Sequence, residues 1–293
     1  MKNNGINVLS LFDGISCGQI ALERTGIKVN NYYASEIDKH AIKVTQHNYP
    51  NTIQLGDVTK WKEWNIEWSK VNLLTAGFPC QAWSLAGKQG GISDPIGALA
   101  ITLFEIFEHI KKENLNFCFL FENVKMKKQY LTYLNTLFNI DQIEINSSFV
   151  SAQHRKRLYW SNIVVEKRIE DKNLTLKDIL DNNVEEKYNS RFYKKKEGTL
   201  SYKKSRKNIR TIHEKSKTLL TGGHGISNSG STNIFFNDDF IRIPTPRECE
   251  RLQTLPENYT NIGITDAQRY HCIGNGWTVD VIAHIFSHLP YAK

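Results

Sequence analysis

Over its first 123 residues the chain alternates short apolar runs with longer amphipathic stretches, an order that few folds accept. Residues 6–12, 31–35, 71–76 and 117–121 read as strands, and apolar residues recur at helical spacing over 39–47 and 99–112. A glycine-containing turn and another amphipathic helix follow the first strand, with Gly26 placed to cap its end. Strands separated by helices pair mostly in parallel, because each helix carries the chain back to where the next strand starts. The expected class is therefore α/β, a mostly parallel sheet with helices on both faces. Beyond Asp141 the pattern changes to two strand-like runs, 142–150 and 158–165. A basic, turn-rich stretch from about 171 to 239 follows. That change marks the expected boundary between a first domain, 1–170, and a smaller, irregular lobe.

The 293 residues suffice for both parts, and a composition of 40% hydrophobic and 23% charged residues is that of a globular chain. No apolar run approaches the roughly 20 residues that span a bilayer, and the N-terminus has no sustained apolar region of a secretory signal. The five cysteines, at 17, 80, 118, 249 and 272, show no paired short spacing, so neither a metal site nor a disulfide framework is expected. A reducing cytoplasm is the default compartment. Charge discriminates further. Between Lys187 and Lys217 there are 12 Lys or Arg against two Glu, while the rest of the chain holds 26 basic against 28 acidic residues. The net charge of +8 thus sits in one segment, interleaved with Tyr188, Phe192, Tyr193 and Tyr202. A polyanion footprint has that form, and so does a solvated loop.

Four short motifs fall at the ends of the expected strands. Phe12, Asp13, Gly14, Ile15, Ser16, Cys17 and Gly18 form a turn that lets backbone approach a ligand at a helix N-terminus. Glu36 ends the second strand, near the spacing at which a carboxylate takes ribose hydroxyls. The turn lacks the Gly-x-Gly-x-x-Gly spacing of a dinucleotide site, which disfavours a dehydrogenase. Gly77, Phe78, Pro79, Cys80, Gln81, Ala82, Trp83 and Ser84 follow the third core strand, where a loop cysteine can act as a thiolate. Phe121, Glu122, Asn123 and Val124 end another strand, projecting Glu122 towards the same crevice. Gln153, His154, Arg155, Lys156 and Arg157 open a strand whose alternation sets Arg155 and Arg157 on one face. Each motif alone also suits a plainer role: a tight connection, an inert thiol, an exposed carboxylate, a surface ladder.

Taken in order, they resemble the DNA cytosine-C5 methyltransferases of bacterial and phage type. Residues 34–39 and 56–58 are similar to that family's ribose and adenine segments, 247–255 to the segment bracing its recognition region, and 274–279 to one returning to the donor pocket. The resemblance implies a Rossmann-like methyltransferase fold, with a catalytic domain over 1–170. It adds a target-recognition lobe over 171–261 and a C-terminal segment, 262–293, that returns to the catalytic domain. It implies S-adenosylmethionine as methyl donor, double-stranded DNA as partner, no metal, and catalysis by Cys80, Glu122, Arg155 and Arg157. Phe12, Asp13, Gly14, Ile15 and Gly18 would line the donor, with Glu36 on the ribose, Ile37 on the adenine face, and Asp57 and Val58 at the adenine edge. Pro79, Leu99, Asn275 and Trp277 would complete the pocket.

Ile96 stands in a stretch where the family often carries arginine, a departure that leaves the catalytic set intact. A transfer RNA cytosine methyltransferase of the same fold is the nearest alternative, disfavoured by the absence of a Cys-Phe-Thr signature. A catalytically silent DNA-binding relative would have lost Cys80, Glu122 or the arginines, and none is lost. The expected form is a monomer without an obligate protein partner, in the cytoplasm of a prokaryotic or phage-infected cell.

Overall fold

The computed structural model describes residues 5–79, 97–165, 168–188, 209–221, 233–237 and 240–292. The chain divides into two compact units, Met1–Ile145 with Lys156–Arg168 and Ile282–Lys293, and Asn146–Arg155 with Ile169–Val281.

The first unit is built on strands β1 (Ile6–Leu11), β2 (Val29–Ser35), β3 (Ile53–Gln54), β4 (Val71–Gly77), β5 (Cys118–Asn123), β6 (Ile143–Asn146) and β7 (Lys156–Ser161), in sheet order β3-β2-β1-β4-β5-β7-β6. Pairs β1–β2, β1–β4, β2–β3 and β4–β5 are parallel, while β7 runs antiparallel to β5. Because the order reverses between β1 and β4, their carboxyl ends open a crevice where such sheets bind ligands. Helices α1 (Cys17–Arg24), α2 (Lys39–Asn48) and α3 (Leu99–Glu113) fall where helical spacing places them.

Helix α4 (Lys128–Phe138) adds to the expected elements, with Tyr130, Leu131, Leu134, Leu137 and Phe138 at helical spacing. The run expected over 142–150 stops at Asn146, whose side chain accepts from the amides of Ser148 and Arg155 and so turns the chain away. An aromatic layer joins these elements. Phe107 of α3 and Phe121 of β5 lie 5.7 Å apart, Phe121 and Phe138 of α4 4.9 Å, and Phe138 and Trp160 of β7 6.2 Å. Phe78, just beyond β4, packs 6.3 Å from Trp160 and fixes the path on which the chain leaves the sheet.

The second unit holds β8 (Ile209–Thr211), β9 (Asn233–Asn237) and β10 (Phe240–Arg242), with β8 parallel and β10 antiparallel to β9. Helices α5 (Pro246–Leu252) and α6 (Asp266–Asn275) open on capping boxes, Thr245 with Glu248 and Thr265 with Gln268. Helix α7 (Val279–Phe286) begins in this unit and ends in the first. Among the described ion pairs of the second unit, Arg242 with Glu248 at 2.7 Å and Arg269 with Glu250 at 3.0 Å are the deeply buried ones, both glutamates being fully buried. Pairs so desolvated specify one arrangement, because separating them strands a buried charge. Among the described residues no helix is long and apolar enough to cross a membrane, and no cluster of His, Cys, Asp or Glu forms a metal site.

Candidate active site

The loop between β1 and α1 is held in an unusual backbone path. Phe12, Gly14 and Ser16 have φ of 54°, 59° and 56°, and for the two non-glycine residues that region is sparsely populated. Side chains from the neighbouring strand hold it there. Glu36 Oε2 accepts from the Gly14 amide at 2.7 Å, while Oε1 accepts from the amides of Ile37 and Asp38 at 2.7 and 2.9 Å. The Asp13 carboxylate accepts from the Tyr32 hydroxyl at 2.8 Å and from the Ser16 hydroxyl. Burial outweighs these bonds and pushes the Asp13 carboxyl up to about 6. Ser16 belongs to the turn that the sequence marks, whereas Tyr32 and Thr45, whose hydroxyl lies 3.3 Å from the Gly14 carbonyl, stand outside every motif. Tyr32 sits on the inward-facing alternation of β2, and Thr45 on the buried face of α2 with Ala41 and Val44.

This loop leaves room beside it. A Cβ at Gly14 would meet nothing within 4 Å, and Ile37, next to Glu36, is 76% exposed although apolar. An apolar face beside a carboxylate suits an adenosyl group, so the residues present fit the donor implied by the motifs. Ile15 and Gly18 are buried in the turn and the first turn of α1. Asp57 is exposed, and its carboxylate caps the short 3-10 turn that starts at Val58, accepting from the Thr59 amide at 2.9 Å, which holds it below its ordinary range. Phe12 and Leu99 pack at the margin of the core. Asn275 and Trp277 belong to the second unit.

At the ends of β4 and β5, Gly77 pairs with Glu122. Glu122 is 8% exposed, and Arg157 Nε of β7 stands 2.9 Å from its carboxylate. Asn123 donates from its side chain to the Phe78 carbonyl at 3.2 Å, which ties the Glu-Asn-Val segment to the peptide that runs through Pro79. Cys80 and residues 81–96, Ile96 included, lie outside the described residues, as do 222–230 and the basic run 189–208.

The two arginines of the Gln-x-Arg-x-Arg segment part company. Strand β7 starts only at Lys156, so Arg155 precedes it and strand alternation does not govern the pair. Arg157 belongs to the first unit with Glu122, and Arg155 to the second. There the Arg155 guanidinium is 4% exposed and donates to the carbonyls of Leu219, Gly274 and Gly276 at 3.1, 3.1 and 2.9 Å.

A β3-β2-β1-β4-β5-β7-β6 sheet with a left-handed loop after β1 and the buried Glu122–Arg157 pair at its edge defines a protein of the α/β class whose ligand crevice opens at the carboxyl ends of β1 and β4. The model of C-5 cytosine-specific DNA methylases matches residues 6–290, and the chain belongs to that family. Among its relatives, the type II methyltransferase M1.ScrFI of Lactococcus lactis subsp. cremoris is 31% identical across 96% of this chain and 77% of its own length. The type II methyltransferase M.NlaX of Neisseria lactamica is 29% identical across 97% and 96%. In fold the chain is similar to the Entamoeba histolytica methyltransferase EhMeth, at 20% identity and a TM-score of 0.75 over 98% of both chains. The protein is thus a DNA cytosine-C5 methyltransferase, an enzyme that acts on DNA, and its family and fold imply S-adenosylmethionine as the methyl donor.

Proposed function

We propose that this enzyme methylates a cytosine flipped out of one specific duplex sequence, as modification enzymes of restriction systems do, through a transient bond from Cys80 to carbon 6. The observation that carries this reading is the Glu122–Arg157 pair, one strand away from the peptide that leads to Cys80. Carbon 5 of cytosine is a weak nucleophile, and addition of the Cys80 thiolate at carbon 6 makes it enamine-like. Glu122 gives a proton to ring nitrogen 3 as the sulfur adds, so charge does not accumulate on the ring. Arg157 orients Glu122 and offers its remaining donors to the base oxygen. When bound, S-adenosylmethionine supplies a methyl group activated on sulfonium sulfur and leaves as S-adenosylhomocysteine. Loss of the carbon 5 proton to water, with the nitrogen 3 proton returning to the Glu122 carboxylate, then lets the Cys80 thiolate depart and restores the ring double bond.

On this reading Phe12, Asp13, Gly14, Ile15 and Gly18 lie along the donor, Glu36 takes its ribose hydroxyls, and Ile37 covers the adenine. Asp57 and Val58 border the adenine edge, and Pro79 and Leu99 complete the first unit's side of the donor site. Extruding the base costs a few kcal/mol of stacking and pairing, so DNA must be gripped firmly. The region 171–261, which contains the basic stretch 187–217, serves as target-recognition lobe, and 262–293 returns to the catalytic domain. One copy carries every motif, and the enzyme acts as a monomer in the cytoplasm.

Labelled S-adenosylmethionine and mixed-sequence duplex DNA, with transfer RNA as control, test the reading. Label should appear as 5-methylcytosine at one recurring motif, vanish in Cys80→Ala, and fall on the order of a hundredfold in Glu122→Gln. Label confined to RNA, or Cys80→Ala retaining activity, overturns it.

A further inference from the structure

Arg155 is where the second unit departs most from what its motif suggests. Its side chain gathers the carbonyls of Leu219, Gly274 and Gly276, 64 to 121 residues away in the chain. Gln153, fully buried, works beside it. Its side-chain oxygen Oε1 accepts from the Leu219 amide at 2.8 Å, and its side-chain nitrogen Nε2 donates to the Leu252 carbonyl at 3.0 Å and to the Gln253 side-chain oxygen at 3.2 Å. Gln253, also fully buried, donates to the carbonyls of Ile273 and Gly276 at 3.0 and 2.9 Å. Both backbone polar groups of Leu219 are therefore held by side chains of one motif.

Packing seals the same junction. A Cβ on Gly274 would stand 2.6 Å from the Leu220 carbonyl oxygen and 2.9 Å from the Thr221 amide, so backbone lies directly on backbone there. Any side chain at 274 must push residues 220–221 away. Thr221 is the last described residue before Gly222, Gly223, His224 and Gly225.

We propose that Arg155 is a positioning residue for target recognition: acting through Leu219–Thr221, it fixes where the glycine-rich segment starts, and touches neither base nor phosphate. A guanidinium that already binds three carbonyls would have to leave them unsatisfied inside the unit in order to reach DNA. Fixing Leu219–Thr221 in advance instead lowers the ordering cost of specific binding, while the phosphate contribution is supplied elsewhere. This inference rests on the reading that the second unit recognises the target.

The two roles differ in salt dependence. A direct phosphate contact contributes about 0.9 to the slope of log affinity against log salt, and a positioning residue contributes nothing to it. The full chain, Arg155→Lys, Arg155→Gln and Gly274→Ala are to be titrated with the methylated duplex and a scrambled one from about 50 to about 200 mM salt. The expected result is a loss of about tenfold or more in the cognate-to-scrambled ratio in Arg155→Gln, with the slope unchanged. Gly274→Ala, which keeps the arginine, should reproduce that loss, and Arg155→Lys should recover part of it. A slope reduced by about 0.9 in Arg155→Gln, or intact discrimination in Gly274→Ala, overturns the proposal. Thermal melting identifies a variant that has not folded, in which case Gly274→Ala decides alone. His224→Ala separates the two levels. If it leaves discrimination intact, the recognition reading of this segment fails; if it impairs discrimination while Gly274→Ala does not, only the positioning role fails.

Discussion

Asp13 carries its carboxyl up to about 6 from an ordinary value of 3.8, because burial outweighs the hydrogen bonds from Ser10, Ser16 and Tyr32, and Glu36 adds repulsion. The folded state thus binds the Asp13 proton more tightly than the unfolded chain does. Stability falls as pH rises between those two values, and a shift of this size corresponds to on the order of 3 kcal/mol. Above pH 6 the loop holds a carboxylate that costs stability, as is common where a site is shaped for a ligand. Asp13→Asn removes that charge. The variant should melt higher than the parent at pH 8 without donor, and the advantage should shrink as the pH is lowered towards 5. A variant that melts lower at pH 8 would show that the ionised side chain is not a burden. Donor affinity, measured by calorimetry, should weaken in the same variant, since the carboxylate also fixes Ser16 and Tyr32.

The elements show which parts of the site were legible and why. Strand ends could be placed from local patterns, so Asp13, Glu36 and Glu122 were expected at the carboxyl edge of the sheet, and β1, β2 and β5 put them there. Helix α4 carries the same helical spacing, at Tyr130, Leu131, Leu134, Leu137 and Phe138. What no local pattern carries is the set of bonds from Gln153 and Arg155 to residues 219, 252, 274 and 276, because the chain returns to them only after long excursions. The position of Phe78 depends on packing of the same non-local kind, with Phe138 of α4 and Trp160 of β7 beneath it. Phe138 is 2% exposed and touches Phe107, Phe121 and Trp160 as well. Phe138→Ala should therefore cost about 3 to 5 kcal/mol in urea denaturation. It should also lower methyl transfer beyond that loss, because Phe78 stands two residues before Cys80. A cost below about 1 kcal/mol would mean that the aromatic layer closes over the gap.

Across the whole molecule the charges are divided as sharply as the chain. Outside residues 187–217 acidic residues slightly outnumber basic ones, yet the substrate carries one negative charge per phosphate. Non-specific attraction to DNA must then come mainly from that segment, unless its lysines face solvent and the grip lies elsewhere. Binding measured at several salt concentrations distinguishes these cases without any knowledge of the target sequence, since counterion release counts contacts regardless of which bases are read. Exchanging Lys194, Lys195, Lys196 and Lys203 for serine removes four charges and leaves every described element untouched. If all four meet phosphates, the slope of log affinity against log salt should drop by about 3 to 4, and by about 0.9 for each one that does so. Scrambled and cognate duplexes should lose affinity together, because phosphate contacts set position and register but do not distinguish bases. An unchanged slope would leave these four lysines in solvent and move the phosphate grip to other basic residues.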